Sequence, residues 1–201
     1  GTTWTSHTSG TPNVPQLWDV TYVNDIFVTL GSGGIFTSPD GTTWTTQNSG
    51  TGHLYGVTYG NGTFVTAGQH GTILTSSDGT TWTSRTSGTN TNIYGVNYVN
   101  STFVALGRSG TILTSSDGTT WTDRTNTNVT SNHLKGVTYG NGTFVIVGES
   151  GTILTSSDGT TWDNRTSGTS NNLAEVAYAN GTYITVGSSG TILTSTDGTT
   201  W

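Results

Sequence analysis

The feature that most constrains this chain is one string, Thr-Ser-x-Asp-Gly-Thr-Thr-Trp, which occurs five times. Its aspartates are Asp40, Asp78, Asp117, Asp158 and Asp197, spaced 38, 39, 41 and 39 residues apart. Trp44, Trp82, Trp121, Trp162 and Trp201 close the copies, and Trp4 closes a truncated sixth at the start. A period this regular marks a repeat architecture, in which one supersecondary unit buries its faces only against its neighbours. The 201 residues (1–201) therefore read as one domain whose repeats end at those five tryptophans.

Within the second unit the pattern predicts four short strands. Strand a is Leu54–Tyr59, ended by Gly60-Asn61-Gly62, because an Asn-Gly pair tolerates the positive φ values of a type I′ turn. Strand b is Thr63–Ala67, strand c is Thr72–Ser76 beyond the Gly68–Gly71 turn, and strand d is Thr81–Thr86 with Trp82. A linear β-solenoid would use shorter periods, and leucine-rich repeats would contain helical segments. The remaining reading is all-β: a five-bladed β-propeller of four-stranded antiparallel blades, a radial arrangement that protects sheet edges. The first residues, Thr3–Thr8, carry a strand-d sequence. They are expected to lie outside the strands of Leu173–Thr196, complete the fifth blade and close the ring. Gly198–Trp201 duplicates Gly1–Trp4, so two copies compete for that slot.

Composition supports strands and excludes several functions. Hydrophobic residues make up 29% and charged residues 8%, yet seven Trp, eight Tyr and five Phe give aromatic area to bury. Thr, Tyr, Trp, Val and Ile favour pleated sheet, while 30 Gly supply turns. A net charge of −6, with one Lys and four Arg, cannot build the basic patch that nucleic acid requires. No apolar run is long enough to span a membrane as a helix. Cysteine is absent, which removes disulfides and thiol chemistry. Repeats of this kind suggest an extracellular or cell-surface bacterial protein if natural, and a monomer. Their near-identity fits either recent amplification or design.

The Ser-x-Asp-Gly-x-x-Trp string resembles the Asp-box (BNR-like) repeats of sialidases, sortilin-type receptors and photosystem II assembly-factor propellers, across all five units. The resemblance implies a structural box at the c–d turn on the propeller rim, with Asp40, Asp78, Asp117, Asp158 and Asp197 bonding local backbone groups and the aromatic residue packing inside the blade. One departure is the direct Asp-Gly step, which makes the turn one residue tighter. Sialidase chemistry would need an arginine cluster, but Arg85, Arg124 and Arg165 recur three residues after their Trp, on outer strand d. Only Arg108 belongs to the variable face.

If the repeated positions make the scaffold, function belongs where the units differ. The d–a linkers (Ser9–Gln16, Ser49–His53, Ser87–Asn92, Asn126–His133, Ser167–Asn172) vary in length and content. The b–c turns place Ser32, Gln69, His70, Arg108, Glu149 and Ser188 at matching sites. In an up-and-down blade these two connections emerge on the same face, around the central channel. Strand a begins there with Trp18-Asp19, Tyr55-Gly56, Tyr94-Gly95, Lys135-Gly136 and Ala174-Glu175. The candidate ligand-binding residues are therefore Trp18, Asp19, Tyr55, Tyr94, Arg108, Glu149 and Glu175. The rings suit stacking on a sugar, and they equally suit filling the gap between blades. Asp19 and Glu175 could serve as oxygen ligands for Ca²⁺, as an acid–base pair, or as solvated acids. His53, His70 and His133 share the face without the tight spacing of a zinc site.

The expected function is a non-enzymatic binding or scaffold propeller, without a cofactor or a catalytic residue, whose variable face holds a glycan, peptide or protein. The alternative is a hydrolase acting on a polysaccharide through Asp19 and Glu175. The Asn-Gly-Thr strings at Asn61, Asn141 and Asn180 match a glycosylation sequon, but their hairpin role accounts for them.

Overall fold

The structure, a computed structural model, describes residues 3–8, 16–47, 50 and 52–201. Among the described residues, nineteen strands make five antiparallel sheets, each a meander in chain order. The first sheet joins β1 (Leu17–Val23), β2 (Ile26–Gly31), β3 (Gly34–Ser38) and β4 (Thr45–Gln47). The second joins β5 (Leu54–Gly60), β6 (Thr63–Gly68), β7 (Ile73–Ser76) and β8 (Thr83–Arg85). The third contains β9 (Ile93–Val99), β10 (Thr102–Gly107), β11 (Ile112–Ser115) and β12 (Thr122–Asp123). The fourth contains β13 (Leu134–Gly140), β14 (Thr143–Gly148), β15 (Ile153–Ser156) and β16 (Asp163–Arg165), and the fifth β17 (Leu173–Ala179), β18 (Thr182–Gly187) and β19 (Ile192–Ser195).

Local sequence explains each connection. Asn61 and Gly62 take φ of 47° and 75°, the left-handed pair that a tight hairpin needs, and Asn141-Gly142 and Asn180-Gly181 repeat it. In the second to fifth units the b–c connections are single 3₁₀ turns whose central residue is also left-handed, as His70 at φ 56°, whereas the first unit turns through Ser32-Gly33 without one. Thr72 leaves that turn outside strand c, and strand d is shorter than expected, because the box turn consumes residues up to Trp82.

The Ser–Asp–Gly part of that turn is built alike in all five units, whereas the indole bond to the glycine carbonyl forms in four, and Trp162 Nε1 is buried without a hydrogen-bond partner among the described residues. In the second, Ser76 Oγ accepts from the Gly79 amide at 2.8 Å and donates to Asp78 Oδ1 at 2.9 Å. Asp78 Oδ1 also accepts the Thr80 and Thr81 amides, both at 2.8 Å. Gly79 supplies φ of 77°, and the Trp82 indole N–H donates to its carbonyl at 2.9 Å. Hydrogen bonds from the two threonines that follow each glycine, through amide and side chain, hold each of the five carboxyls well below the usual carboxylate range. The three recurring arginines are structural too: Arg85, Arg124 and Arg165 donate through Nε to threonines on the adjacent strand c.

The apolar core lies between sheets. Val28, Leu30 and Ile35 of the first sheet meet Leu54, Val57, Phe64 and Leu74 of the second. Equivalent clusters join the second sheet to the third, the third to the fourth and the fourth to the fifth. Tyr–Phe and Phe–Trp pairs extend three of the clusters toward the rim, as Tyr59–Phe64 at 4.6 Å and Phe64–Trp82 at 6.3 Å between ring centroids, and Tyr183 replaces the phenylalanine in the fourth. The innermost strands are neighbours in the order β1, β5, β9, β13, β17.

The pairing expected to close the ring does not appear among the described residues. Among the described residues the fifth sheet has three strands, and residues 3–8 are exposed and belong to no strand. Trp4 is 90% exposed, so the amino-terminal copy of the motif does not occupy the outer slot beside β19. The carboxy-terminal copy does form its turn: Trp201 donates to Gly198 and packs on Tyr183. A lone strand has few apolar groups to bury there, so pairing would order a six-residue segment chiefly for ladder hydrogen bonds. The linker expected at Ser9–Gln16 lies, up to residue 15, outside the described residues, as do Ser49 and Thr51.

Substitutions at three positions test these features. A Cβ at Gly140 would lie 2.1 Å from Tyr178 Cγ, whereas one at Gly52 meets nothing within 4 Å. Gly140→Ala is expected to cost about 1–3 kcal/mol by overpacking and Gly52→Ala close to nothing, read from denaturant midpoints. Asp117→Ala removes the acceptor of two amides and should lower the thermal midpoint by about 2–4 °C, with Asp117→Asn retaining most of it. A lowered folded-state pKa stabilises above the ordinary carboxylate range, so the penalty of Asp117→Ala should shrink as pH falls below that range.

Candidate functional site

The variable connections share one face and are stitched together there. Within each unit the b–c turn donates to the end of the preceding linker: Gln69 N–H to the His53 carbonyl, Arg108 to Asn92, Glu149 to His133 and Ser188 to Asn172. Across units, the left-handed residue of one turn donates to the side chain that ends the next linker. His70 N–H meets Asn92 Oδ1 at 3.1 Å, Ser109 meets His133 Nδ1 at 3.3 Å, and Ser150 meets Asn172 Oδ1 at 2.9 Å. The loops that differ in sequence therefore sit on a framework that does not.

This face opens into a cavity of about 650 Å³ lined by the starts of the five innermost strands. Trp18, Asp19, Tyr55, Tyr94, Glu149 and Glu175 all line it. Arg108 does not, because it stands exposed on its turn. Three further lining residues carry chemistry: His133, Lys135 and Asn97. Lys135 occupies the strand position of Trp18, Tyr55 and Tyr94, so its place was readable. Asn97 was not, since it sits inside strand β9 among residues that resemble scaffold.

Aromatic rings form a continuous arc along one side. Trp18 stacks on His53 with centroids 5.6 Å apart and lies 5.0 Å from Tyr55. Tyr55 is 5.7 Å from Tyr94, which is 5.8 Å from His133. The rings pack across the seams between units and still face the cavity. Burial beside Tyr94 pushes the Tyr55 phenol up.

The charged groups are uneven. Lys135 Nζ pairs with Glu149 Oε1 at 3.4 Å, both partly exposed. Asp19 accepts the Val20 amide at 2.8 Å and, across the seam, the Val57 amide at 2.9 Å. Glu175 accepts its own Val176 amide at 3.0 Å. Each replaces a glycine of the other units at a β-bulge in the innermost strand pair. Desolvation raises both pKa values despite these amides, and the charge of Asp19 raises Glu175 further. The two acids thus face one space, without a cationic partner among the described residues. No group of three or more His, Asp or Glu converges as metal ligands among the described residues, and no described helix is long and apolar enough to cross a membrane.

No protein-family model matches the chain, and no curated protein sequence does either. Solved structures do. The computationally designed Ika8 protein superposes with a TM-score of 0.72 at 12% identity, over 92% of this chain and 60% of its own. YCF48 from Cyanidioschyzon merolae gives 0.67 at 16% identity, over 92% and 70%. A structure of YCF48 bound to D1 peptide gives 0.70 at 17%, over 92% and 64%. This chain thus spans about 60–70% of the length of propellers it resembles. At such identities the likeness concerns architecture alone: five meander sheets arranged as in a β-propeller.

Proposed function

We propose that this chain is a non-enzymatic binding module and that the channel mouth on its variable face holds an extended peptide. The aromatic arc from His53 through Trp18, Tyr55 and Tyr94 to His133, facing Asp19 and Glu175 across one cavity, carries this reading. Rings held by their neighbours offer contact area at low entropic cost. Two desolvated carboxylates without a cationic partner favour a ligand that brings a basic side chain, over the ring faces or between the acids. The peptide complex of the YCF48 neighbour supports a peptide over a sugar. A glycan remains the second reading, because Trp18 keeps an exposed face at the rim.

The Asp-box assignment is retained as part of this proposal, on the strength of the five identical Ser–Asp–Gly turns. The hydrolase reading is disfavoured by how Asp19 is used: both its oxygens are engaged by backbone amides, one of them in the next unit. A general acid or base must present a free oxygen to the substrate.

Titrating a basic peptide, an acidic peptide and a neutral oligosaccharide while following tryptophan fluorescence tests the proposal. The basic peptide should bind, with Trp18→Ala or Tyr94→Ala weakening it about tenfold or more. Silence toward every peptide would reject it. Polysaccharide cleavage that disappears in Glu175→Gln would install the hydrolase instead. Glu175→Gln has a separate expected effect on stability. A carboxyl with a raised folded-state pKa opposes folding when ionised, so the variant should match or exceed the parent's thermal midpoint at neutral pH. That advantage should vanish as pH falls through the carboxylate range.

A further inference from the structure

The four seams between units share one design. A trailing face of three aliphatic residues, two on strand b and one on strand c, is covered by the leading face of the next unit. Val28, Leu30 and Ile35 make the first trailing face, and Val145, Val147 and Ile153 the fourth; all six are fully buried. The fifth trailing face has the same chemistry but no cover among the described residues. Ile184, Val186 and Ile192 are 44%, 44% and 67% exposed. At the other end the leading face of the first unit is equally bare, with Leu17 at 48%, Val20 at 57% and Tyr22 at 52%. Their counterparts in the fifth unit, Leu173 and Val176, are buried.

Polar groups at the open end point the same way. Asp19 reaches across its seam to the Val57 amide, whereas Glu175, at the matching position, bonds only within its own strand among the described residues. His70, Ser109 and Ser150 each donate an amide to the next unit, and Ser189, their counterpart, has no such acceptor among the described residues. The edge of β19 has no outer strand there either.

We infer that the open seam between β19 and β1 is a docking site for two to three further units of this same repeat, continuing the ring in order. The number follows from the lengths of the propellers on which the five units superpose. The five units superpose together on longer propellers, leaving roughly two to three repeat lengths of those chains unmatched. The first incoming unit would bring a Leu-x-x-Val strand and an aromatic second strand to cover Ile184, Val186 and Ile192. The last would offer an aliphatic face to Leu17 and Val20. Residues 3–8 could pair with β19 but, as one strand, could not cover a face that elsewhere meets two. Direct contact between the first and fifth sheets would require four filled seams to repack at a steeper angle. A whole second copy brings five units to a gap for two or three.

The test extends the full chain after Trp201 with one, two or three copies of its own residues 163–201. Apolar-dye fluorescence, thermal midpoint and sedimentation mass are read for each. The unextended chain should bind dye, and dye binding should collapse, with a step in thermal midpoint, at the second or third added copy. Val20→Lys should be silent in the unextended chain and should abolish that step in the closing one. Three results would each overturn the inference. The first is an unextended monomer that binds no dye and shields residues 3–8 from proteolysis, which means self-closure. The second is unextended chain whose self-association removes dye binding, which assigns the seam to a second copy. The third is equal increments of midpoint through all three extensions with Val20→Lys silent throughout.

Discussion

The structure depends on the aliphatic seam. A four-stranded meander with Val, Leu and Ile on one face and Phe, Tyr and Leu on the other cannot hide either surface alone, and burying both is the main favourable term available. Each seam removes several side chains from water, at roughly 1.5–3 kcal/mol for a fully buried aliphatic or aromatic. In a chain only 29% hydrophobic, this concentration of apolar groups at seams replaces a central core. Everything else, from the rim turns to the channel mouth, is positioned by sheets held face to face.

Division of labour between the two rims follows. On one rim the Ser–Asp–Gly turns satisfy their own amides, so they need nothing from neighbouring units and can be identical. On the other, backbone bonds from turn to linker and from turn to the next unit fix loop position while leaving most side chains unconstrained. Trp18, Tyr55, Tyr94, Lys135 and Ala174 can therefore differ at one structural position.

Much of this was legible in the sequence because the informative residues act locally. Asn61-Gly62 and Asp78-Gly79 demand left-handed backbone whatever surrounds them, so hairpin and rim turn follow from the dipeptides alone. Strand d was overdrawn because Trp82 looks like a strand residue, although its indole is committed to the Gly79 carbonyl inside the turn. The site was half readable. Position within the repeat located Trp18, Tyr55 and Tyr94, and the departures from glycine located Asp19 and Glu175. Arg108 and Glu149 hold matching positions in the b–c turns of neighbouring units, but Glu149 turns inward to Lys135 while Arg108 does not reach the cavity. Closure by residues 3–8 failed for a related reason: matching a strand-d pattern shows that a segment could pair, not that pairing would repay its ordering.

The near-identity of the seams also bears on how the chain reaches its native state. Sheet partners lie within one hairpin, and seam partners lie about one repeat length apart, so no long loop must close before contacts form. For an all-β protein that topology favours rapid assembly from any point along the array. The same sameness removes the usual safeguard of distinct interfaces, because the leading strand of one unit fits the trailing face of several others. Skipped units and exchange of strands between molecules are thus the characteristic errors available to this chain, and the differing lengths of its linkers are what discriminate against them.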